Sequence, residues 1–172
     1  IGRGFIGQLY WESGFRTTFI DVNETVVGLL QSRGSYPIHL VSETTEVIPV
    51  DNVTAIHGGD LEAVSDALAV ATIASTAVGS QILPRIAPAI ARGIEKLFAQ
   101  ADAAPLNIII CENLLRGDEV LREAVRSNLA PEWHETLDGK VGFVEASIGR
   151  MVPRMTEAQL AQDPLLVCVE PY

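Results

Sequence analysis

With 172 residues and a formal net charge of −10, the chain excludes several classes of protein before any motif is considered. The length suits a single domain with a core large enough to fold independently. The acidic balance argues against a nucleic-acid partner, because phosphate binding needs clustered Lys and Arg. No apolar run approaches the roughly 18 residues that span a bilayer, so no membrane partner is expected.

The first part of the chain predicts a helix, a strand and a second helix. Apolar residues at helical spacing indicate a helix over 4–13, and a buried strand is predicted over 17–22. The second helix is predicted over 24–32, where Asn23 is placed to cap it and Gly34 to end it.

Short β-rich runs follow these elements. Residues 36–41 and 46–50 predict a β-hairpin around a turn at 42–45, and a further strand is predicted over 53–57. The hairpin is interpreted as an insertion after the second helix.

The remainder of the chain alternates between helical and strand patterns. The predicted elements are, in order, a helix capped by Asp60, a strand at 69–76, a helix at 80–100, a strand at 106–111, a helix at 118–128, and strands at 141–144 and 165–170. Pro88 falls inside the long predicted helix, where a proline removes a hydrogen bond and costs about 3 kcal/mol. A kink or a division into two short helices is therefore expected there.

This alternation predicts an α/β fold, Rossmann-like and doubly wound, with a mostly parallel sheet and the inserted β-hairpin. In such sheets the ligand binds outside the carboxyl ends of the strands. The candidate site residues are therefore those that follow strands, at 21–23, 76–79 and 112–116.

The chain opens on Ile1-Gly2-Arg3-Gly4, and Asp21 closes a strand 19 residues after Gly2. This spacing matches the second half of a dinucleotide-binding fingerprint, in which a glycine turn begins a helix and an acid binds the adenosine ribose. The helix start would direct free N–H groups at the pyrophosphate. Asp21 would repel a 2′-phosphate, which favours NAD over NADP. A helix-capping role for Asp21 remains the alternative.

Three further features depend on this fingerprint. Val22 and Asn23 complete the candidate ribose-binding segment, and Arg3 is a candidate for contact with a cofactor or substrate phosphate. The first strand and the first two glycines of the fingerprint are missing from the sequence. We therefore expect a strand ending in Gly-x-Gly-x to precede Ile1, because removal of a central strand leaves two apolar edges unpaired.

Several blocks of the chain resemble mannitol-1-phosphate 5-dehydrogenases, which belong to the long-chain polyol dehydrogenases. The blocks are IGRGFIG at 1–7, RIAPAIA at 85–91, PLNIIICEN at 105–113 with Arg116-Gly117, VGFV at 141–144 and RMVP at 150–153. They occur in the order of the family and cover nearly the whole chain. The resemblance implies NAD-dependent interconversion of D-mannitol 1-phosphate and D-fructose 6-phosphate, so the expected ligand is a small polyol or sugar phosphate.

The resemblance also implies that residues 1–172 form only the NAD-binding domain. In the family, the proton-transfer pattern Lys-x-x-x-x-Asn-x-x-His lies in a helical second domain beyond the point where this sequence stops. The two lysines, Lys96 and Lys140, do not match that pattern. Hydride transfer from an alcohol needs a base, so the chain by itself is expected to be inactive.

Two strand exits supply the remaining cofactor candidates. Thr76, Ala77, Val78 and Gly79 are small enough for the backbone to approach the dinucleotide, although a tight strand exit explains them equally well. Glu112 and Asn113 follow a strand that should point at the nicotinamide. In related polyol dehydrogenases the asparagine that matches Asn113 lies at the active site, where its amide can stabilise the substrate oxygen. The alternative for Asn113 is a turn residue.

Gly149 departs from the family pattern, which has aspartate at this position before the arginine that matches Arg150. Arg150 is a candidate for substrate binding, and a structural ion pair is its alternative. The missing acid leaves two other readings open. One is a related polyol or uronate dehydrogenase with an unphosphorylated substrate, and the other is a module that senses NAD without chemistry.

The other potential ligands form no recognisable motif. Cys111 and Cys168 lack metal-like spacing, and the three histidines, His39, His57 and His134, are scattered. No metal is expected, and the histidines are interpreted as surface or hairpin residues. Reduced cysteines fit a cytoplasmic protein better than a disulfide framework does.

Overall fold

The computed structural model describes residues 2–42 and 45–171 and divides the chain into two compact units. The first unit contains the residues up to 59 together with those from 149 onward, and the second contains 60–148. Strands and helices alternate in both units, and this confirms the α/β class.

The first unit begins with a π-helical segment, Gly2–Ile6, that continues into α1. Its other elements, in chain order, are α1 (Gly7–Glu12), β1 (Thr17–Asp21), α2 (Glu24–Arg33), β2 (Tyr36–Val41), β3 (Thr45–Val50), β4 (Val53–His57), α7 (Glu157–Gln162) and β8 (Val167–Val169). Strands β1 and β4 pair in parallel, with Thr17 opposite Val53 and Asp21 opposite His57. The predicted hairpin is confirmed, since β2 and β3 are antiparallel, and β8 adds to β2 in parallel.

Local signals define the second helix of this unit as predicted. The Asn23 side chain accepts a hydrogen bond from the amide of Val26 at 3.2 Å, which satisfies one of the free donors at the helix start. Gly34 ends the helix in the left-handed region at φ 64°, where a residue without Cβ is favoured. The helix buries Val26, Val27 and Leu30. The core of the first unit adds Tyr36, Ile38, Val50, Val53, Ala55, Leu165, Val167 and Val169.

The second unit is a three-stranded parallel sheet in the order β5–β6–β7 with helices. Its elements are α3 (Leu61–Ala69), β5 (Ile73–Thr76), α4 (Leu83–Phe98), β6 (Leu106–Ile110), α5 (Gly117–Arg126), α6 (His134–Lys140) and β7 (Val141–Glu145). The Asp60 cap is confirmed, because its carboxylate accepts the amide of Ala63 at 3.0 Å. Fully buried residues that include Leu83, Ile94, Leu106, Ile108, Ile110, Leu121 and Leu137 form the core of this unit.

The predictions for two elements of the second unit differ from the structure. The strand predicted over 69–76 begins at Ile73, because Ala69 still belongs to α3. Helix α4 is one helix of 16 residues that contains Pro88, so a division into two short helices is wrong, and the alternative expectation of a kink stays a prediction. The neighbours Ala87, Ala89 and Ile90 are buried, and the packing of this face outweighs the one backbone hydrogen bond that proline removes.

Helices α6 and α7 were not predicted. Each is short, with 7 and 6 residues, and apolar periodicity is weak over such a length. A capping box at the start of α7, formed by Thr156 and Gln159, is the local signal that could have identified it. Among the helices of the described residues, none is both long and apolar enough to cross a membrane.

Candidate functional site

Asp21 lies at the carboxyl end of β1, where the sequence predicted a ribose-binding acid. Its Oδ1 accepts a hydrogen bond from the amide of Asn23 at 2.9 Å, and its carbonyl accepts the amide of Gly58 at 2.9 Å. The side chain is only partly buried. A carboxylate has about four acceptor positions, so this arrangement leaves acceptors of Asp21 available to a ligand with hydroxyl groups.

His57 holds the backbone that follows Asp21, although sequence analysis treated it as a surface residue. Its Nδ1 accepts the amide of Gly59 at 3.1 Å, so that nitrogen carries no proton. The Nε2 therefore bears the proton and donates to the carbonyl of Val22 at 3.1 Å. The pairing of β1 with β4 brings His57 opposite Asp21, and sequence alone did not reveal this pairing.

A cleft of about 320 Å³ opens beside Asp21 and lies wholly in the first unit. Its lining residues are Arg3, Asp21, Asn23, Thr25, Val26, Leu160 and Pro164. The structure thus brings together Arg3, Asp21 and Asn23, which the sequence predicted separately. Val22 adjoins them and is 78% exposed.

Arg3 is fixed on the wall of this cleft by two contacts. Its Nη1 donates to the carbonyl of Leu165 at 2.6 Å, and its guanidinium carbon lies 5.8 Å from the centre of the Tyr36 ring. The Tyr36 hydroxyl in turn donates to the carbonyl of Arg3 at 2.7 Å. Burial lowers the pKa of Arg3 below its usual value, and the charges of Tyr36, Asp21 and Asp163 partly oppose this effect.

The glycines of the helix start serve close packing. A Cβ on Gly4 would lie 2.8 Å from Cγ1 of Val167 and 2.9 Å from Cγ1 of Val152, so this residue must remain small. Gly2 lies in the π-helical segment, and its carbonyl would be 3.0 Å from a Cβ on Gly7. Contact of Gly2 and Gly4 with a cofactor stays a prediction, and Ile1 lies outside the described residues.

In the second unit, the carboxylate of Glu112 binds the backbone that follows β5. Its Oε1 accepts the amide of Val78 at 2.7 Å and its Oε2 accepts the amide of Gly79 at 2.8 Å. The residue is 7% exposed. Because both carboxylate oxygens bind protein amides, the geometry favours a positioning role for Glu112 over the direct cofactor contact that the sequence predicted.

The segment at 76–79, in which two amides bind Glu112, is only partly exposed to solvent. Thr76 is 4% exposed, and its hydroxyl has no hydrogen-bond partner among residues 2–42 and 45–171. Val78 is 41% exposed, and Gly79 has a φ of 95° that disfavours any residue with a side chain. Ala77, Val78 and Gly79 are therefore better placed for a backbone approach than Thr76 is.

Asn113 differs from its neighbour Glu112 in exposure and in partners. It is exposed, and its side chain makes no hydrogen bond within the described part of the chain. The amide of Leu114 donates to the carbonyl of Glu112 at 2.9 Å, which turns the chain directly after the strand. Contact of the Asn113 amide with a substrate oxygen stays a prediction, and no protein group among the described residues competes for that amide.

Arg150 is a buried structural residue in this structure. Its Nη1 donates to Oε1 of Gln8 at 2.7 Å, and its Nε donates to the carbonyl of Glu170 at 2.8 Å. Only 7% of the residue is exposed. These contacts favour the structural alternative. The substrate contact predicted for Arg150 has no support in the geometry.

Cys111 is a buried residue between the end of β6 and Glu112. Burial, together with the negative charge of Glu112, raises the pKa of its thiol to about 11. Such a thiol stays neutral at physiological pH and is a poor nucleophile or metal ligand. Across residues 2–42 and 45–171, no three side chains among His, Cys, Asp and Glu are grouped to hold a metal ion.

Comparison with known families identifies the family of this chain. The family described as the mannitol dehydrogenase Rossmann domain matches residues 1–172. The match confirms the Rossmann-type fold that the strand alternation predicted, and such a domain implies a nucleotide cofactor and an oxidoreductase as its parent. The chain therefore belongs to the mannitol dehydrogenase family, as its Rossmann domain.

Proposed function

We propose that the chain is the NAD-binding domain of an enzyme that interconverts D-mannitol 1-phosphate and D-fructose 6-phosphate. The observation that carries the proposal is the Asp21 carboxylate, which borders a cleft and, among residues 2–42 and 45–171, has only the Asn23 amide as a hydrogen-bond donor. Family membership supplies the class of reaction. The phosphate-dependent substrate is supported by the sequence blocks that resemble mannitol-1-phosphate 5-dehydrogenases.

The residues fit the proposed cofactor by their chemistry. Asp21 would accept hydrogen bonds from the two ribose hydroxyls, and its charge would disfavour a 2′-phosphate. Asn23 and His57 hold in place the backbone that follows this acid. When bound, NAD accepts a hydride from the alcohol carbon of the substrate.

We assign Asn113 the role of an amide donor to the substrate oxygen, on which negative charge develops as the hydroxyl proton leaves. Its exposure and its lack of a protein partner within the described residues support this role. The base that receives the proton is proposed to lie in a separate helical domain of the enzyme. We further propose that the enzyme acts in the cytoplasm.

A second candidate is an NAD-dependent polyol or uronate dehydrogenase whose substrate carries no phosphate. Two observations favour it. Gly149 lacks the carboxylate of the family pattern, and the donors of Arg150 are directed at Gln8, Gly4 and Glu170. Gly149 has no side chain to bind a substrate, and Arg150 donates its hydrogen bonds to protein oxygens. Neither residue therefore supports the substrate contacts that the family pattern implies.

Titration calorimetry and a kinetic assay on the full-length protein test these proposals. We expect NAD to bind more tightly than NADP, and NADH to form when D-mannitol 1-phosphate is added. Turnover of mannitol or a uronate alone would select the second candidate. Binding of NAD without turnover of any polyol would select a sensing module, and failure to bind NAD would overturn all three.

Gly149→Asp provides a direct test of the substrate assignment. A Cβ at this position would meet no atom within 4 Å among the described residues, so the acid of the family pattern can be introduced without a clash. We expect kcat/KM for D-mannitol 1-phosphate to rise if the phosphate enzyme is the correct reading. A rise only for an unphosphorylated polyol would support the second candidate.

A further inference from the structure

The cleft beside Asp21 contains a fixed cation as well as the acid. Arg3 and Asp21 both line it, and the negative charge of Asp21 acts to raise the pKa of Arg3, against the larger effect of burial. A carboxylate at this point selects NAD, whereas an arginine near the ribose accommodates the additional phosphate of NADP. The cleft therefore holds the determinants of both cofactor preferences side by side.

Arg3 is the member of this pair whose binding capacity remains largely unused. A guanidinium has five N–H donors, and the structure gives Arg3 one protein acceptor, the carbonyl of Leu165. No carboxylate lies within 4.0 Å of it among residues 2–42 and 45–171. By contrast, Arg33 in the same unit is paired with Asp163 at 2.8 Å.

The surroundings of Arg3 favour an anionic ligand. Its hydrogen bond to Leu165 and its position over the Tyr36 ring hold the guanidinium in one place, so little conformational entropy would be lost on binding. A partly buried cation without an ion-pair partner is stabilised by an anion that enters its cleft. Phosphate is the anion that the guanidinium fork binds best, through two parallel hydrogen bonds.

We propose that Arg3 is a specificity-determining residue that can bind the 2′-phosphate of NADP, so that the charge of Asp21 alone maintains the preference for NAD. This proposal rests on the proposed function, because it takes the cleft as the adenosine ribose site. When the Asp21 charge is removed, the remaining carboxylate that acts on Arg3 is Asp163, which is already paired with Arg33. The site should then prefer the 2′-phosphorylated cofactor.

Two small probes isolate this effect. 5′-AMP and 2′,5′-ADP differ only by the 2′-phosphate, and their dissociation constants are measured by calorimetry on the full-length protein. The variants are Asp21→Ser, Arg3→Met and the double variant. Arg16→Met is the control, because Arg16 is an exposed cation that precedes β1, at the strand end opposite Asp21.

We expect Asp21→Ser to bind 2′,5′-ADP about tenfold more tightly than wild type, and to bind 5′-AMP less tightly. Addition of Arg3→Met should abolish the gain for 2′,5′-ADP, whereas Arg16→Met should not. If the Arg3→Met variants unfold, as judged by circular dichroism, Arg3→Lys replaces them. It keeps the charge but loses the fork, so it should retain only part of the gain.

Other outcomes contradict the proposal. No gain in Asp21→Ser would remove Arg3 from 2′-phosphate binding, even if NAD still binds the wild type as the proposed function requires. Equal losses for 5′-AMP and 2′,5′-ADP in Arg3→Met would assign Arg3 to the 5′-phosphate instead. If wild type binds neither NAD nor 5′-AMP, the proposed function itself fails.

Discussion

Two acids close parallel strands in this chain, yet their surroundings differ sharply. Asp21 ends β1 in the first unit, beside a cleft, and accepts one backbone amide through its side chain. Glu112 follows β6 in the second unit, is buried, and has both oxygens bound to consecutive amides. A carboxylate at a strand end can thus keep acceptors available for a ligand or bind the backbone of its own chain, and the number of protein donors around it distinguishes the two.

Glu112→Gln should have the largest effect on the free energy of unfolding, and it tests the structural role of Glu112. The amide keeps the size of the side chain but offers one oxygen, and it turns an NH₂ group toward a backbone N–H. Two charge-assisted hydrogen bonds are weakened, so the free energy of unfolding should fall by about 3 kcal/mol. Urea unfolding measures this loss, and calorimetry should show a weaker affinity for NAD.

Asn113→Ala is the matched control for Glu112→Gln, because the exposed Asn113 makes no side-chain hydrogen bond within the described part of the chain. Its stability should stay within about 0.5 kcal/mol of wild type, while kcat of the full-length enzyme falls. If the two variants lose equal stability, the distinction between the structural role of Glu112 and the exposed Asn113 is wrong.

Asp21→Ser should affect affinity instead of stability. A serine hydroxyl can still accept the Asn23 amide, but it cannot replace the charged acceptor for the ribose. We expect the affinity for NAD to fall by about 2 kcal/mol, roughly 30-fold. Asp60→Ser is the control, since serine also caps a helix, and its affinity for NAD should not change. An unchanged affinity in Asp21→Ser would exclude this acid from the site.

Gly4→Ala and Gly28→Ala test whether the helix start beside Asp21 is limited by packing. The added methyl group at Gly4 would approach Val167 and Val152 within 3 Å, and we expect a loss of about 1.5 kcal/mol. Gly28 lies in α2 with nothing within 4 Å of a new Cβ, so alanine should stabilise that helix by about 0.5–1 kcal/mol. Thermal unfolding compares the two, and shifts in the same direction would contradict the packing argument.

Cys111 provides the smallest effect, through the pH dependence of stability. Its pKa is raised from 9.0 to about 11 in the folded protein, so the unfolded chain releases the thiol proton at lower pH. Stability should therefore fall as the pH rises from about 9 to about 11, by on the order of 1 kcal/mol at pH 10. Cys111→Ala should show a shallower decline in urea unfolding between pH 8 and 10, and an identical decline would refute the assignment.

The sequence predicted the features that depend on local signals. Asn23 and Asp60 cap the starts of helices, and Gly34 ends one, as their residue types predicted. The alternation of strands and helices was enough to predict the α/β class. A division of α4 at Pro88 was the wrong alternative because helix propensity weighs one lost hydrogen bond, whereas burial of the surrounding face keeps the helix continuous. Tertiary packing is not visible in a local pattern.

The candidate site was predicted less completely than the fold. Asp21 and Asn113 have the exposure that their predicted roles require, but Glu112 and Arg150 are bound by protein groups far away in sequence. Such partners depend on how strands pair and how loops return, which spacing does not encode. For the same reason His57 went unrecognised until the β1–β4 register placed it opposite Asp21.

The late return of the chain to its first unit has a consequence for synthesis on the ribosome. Residues 60–148 are continuous, so the second unit can fold as soon as it has emerged. The first unit must wait for β8, which pairs Val167 with Ile38, and for Leu165, which anchors Arg3. Until then the apolar flank of β2 lacks its neighbour. We expect nascent chains stalled before residue 165 to be sensitive to protease in their first 59 residues, with residues 60–148 already protected.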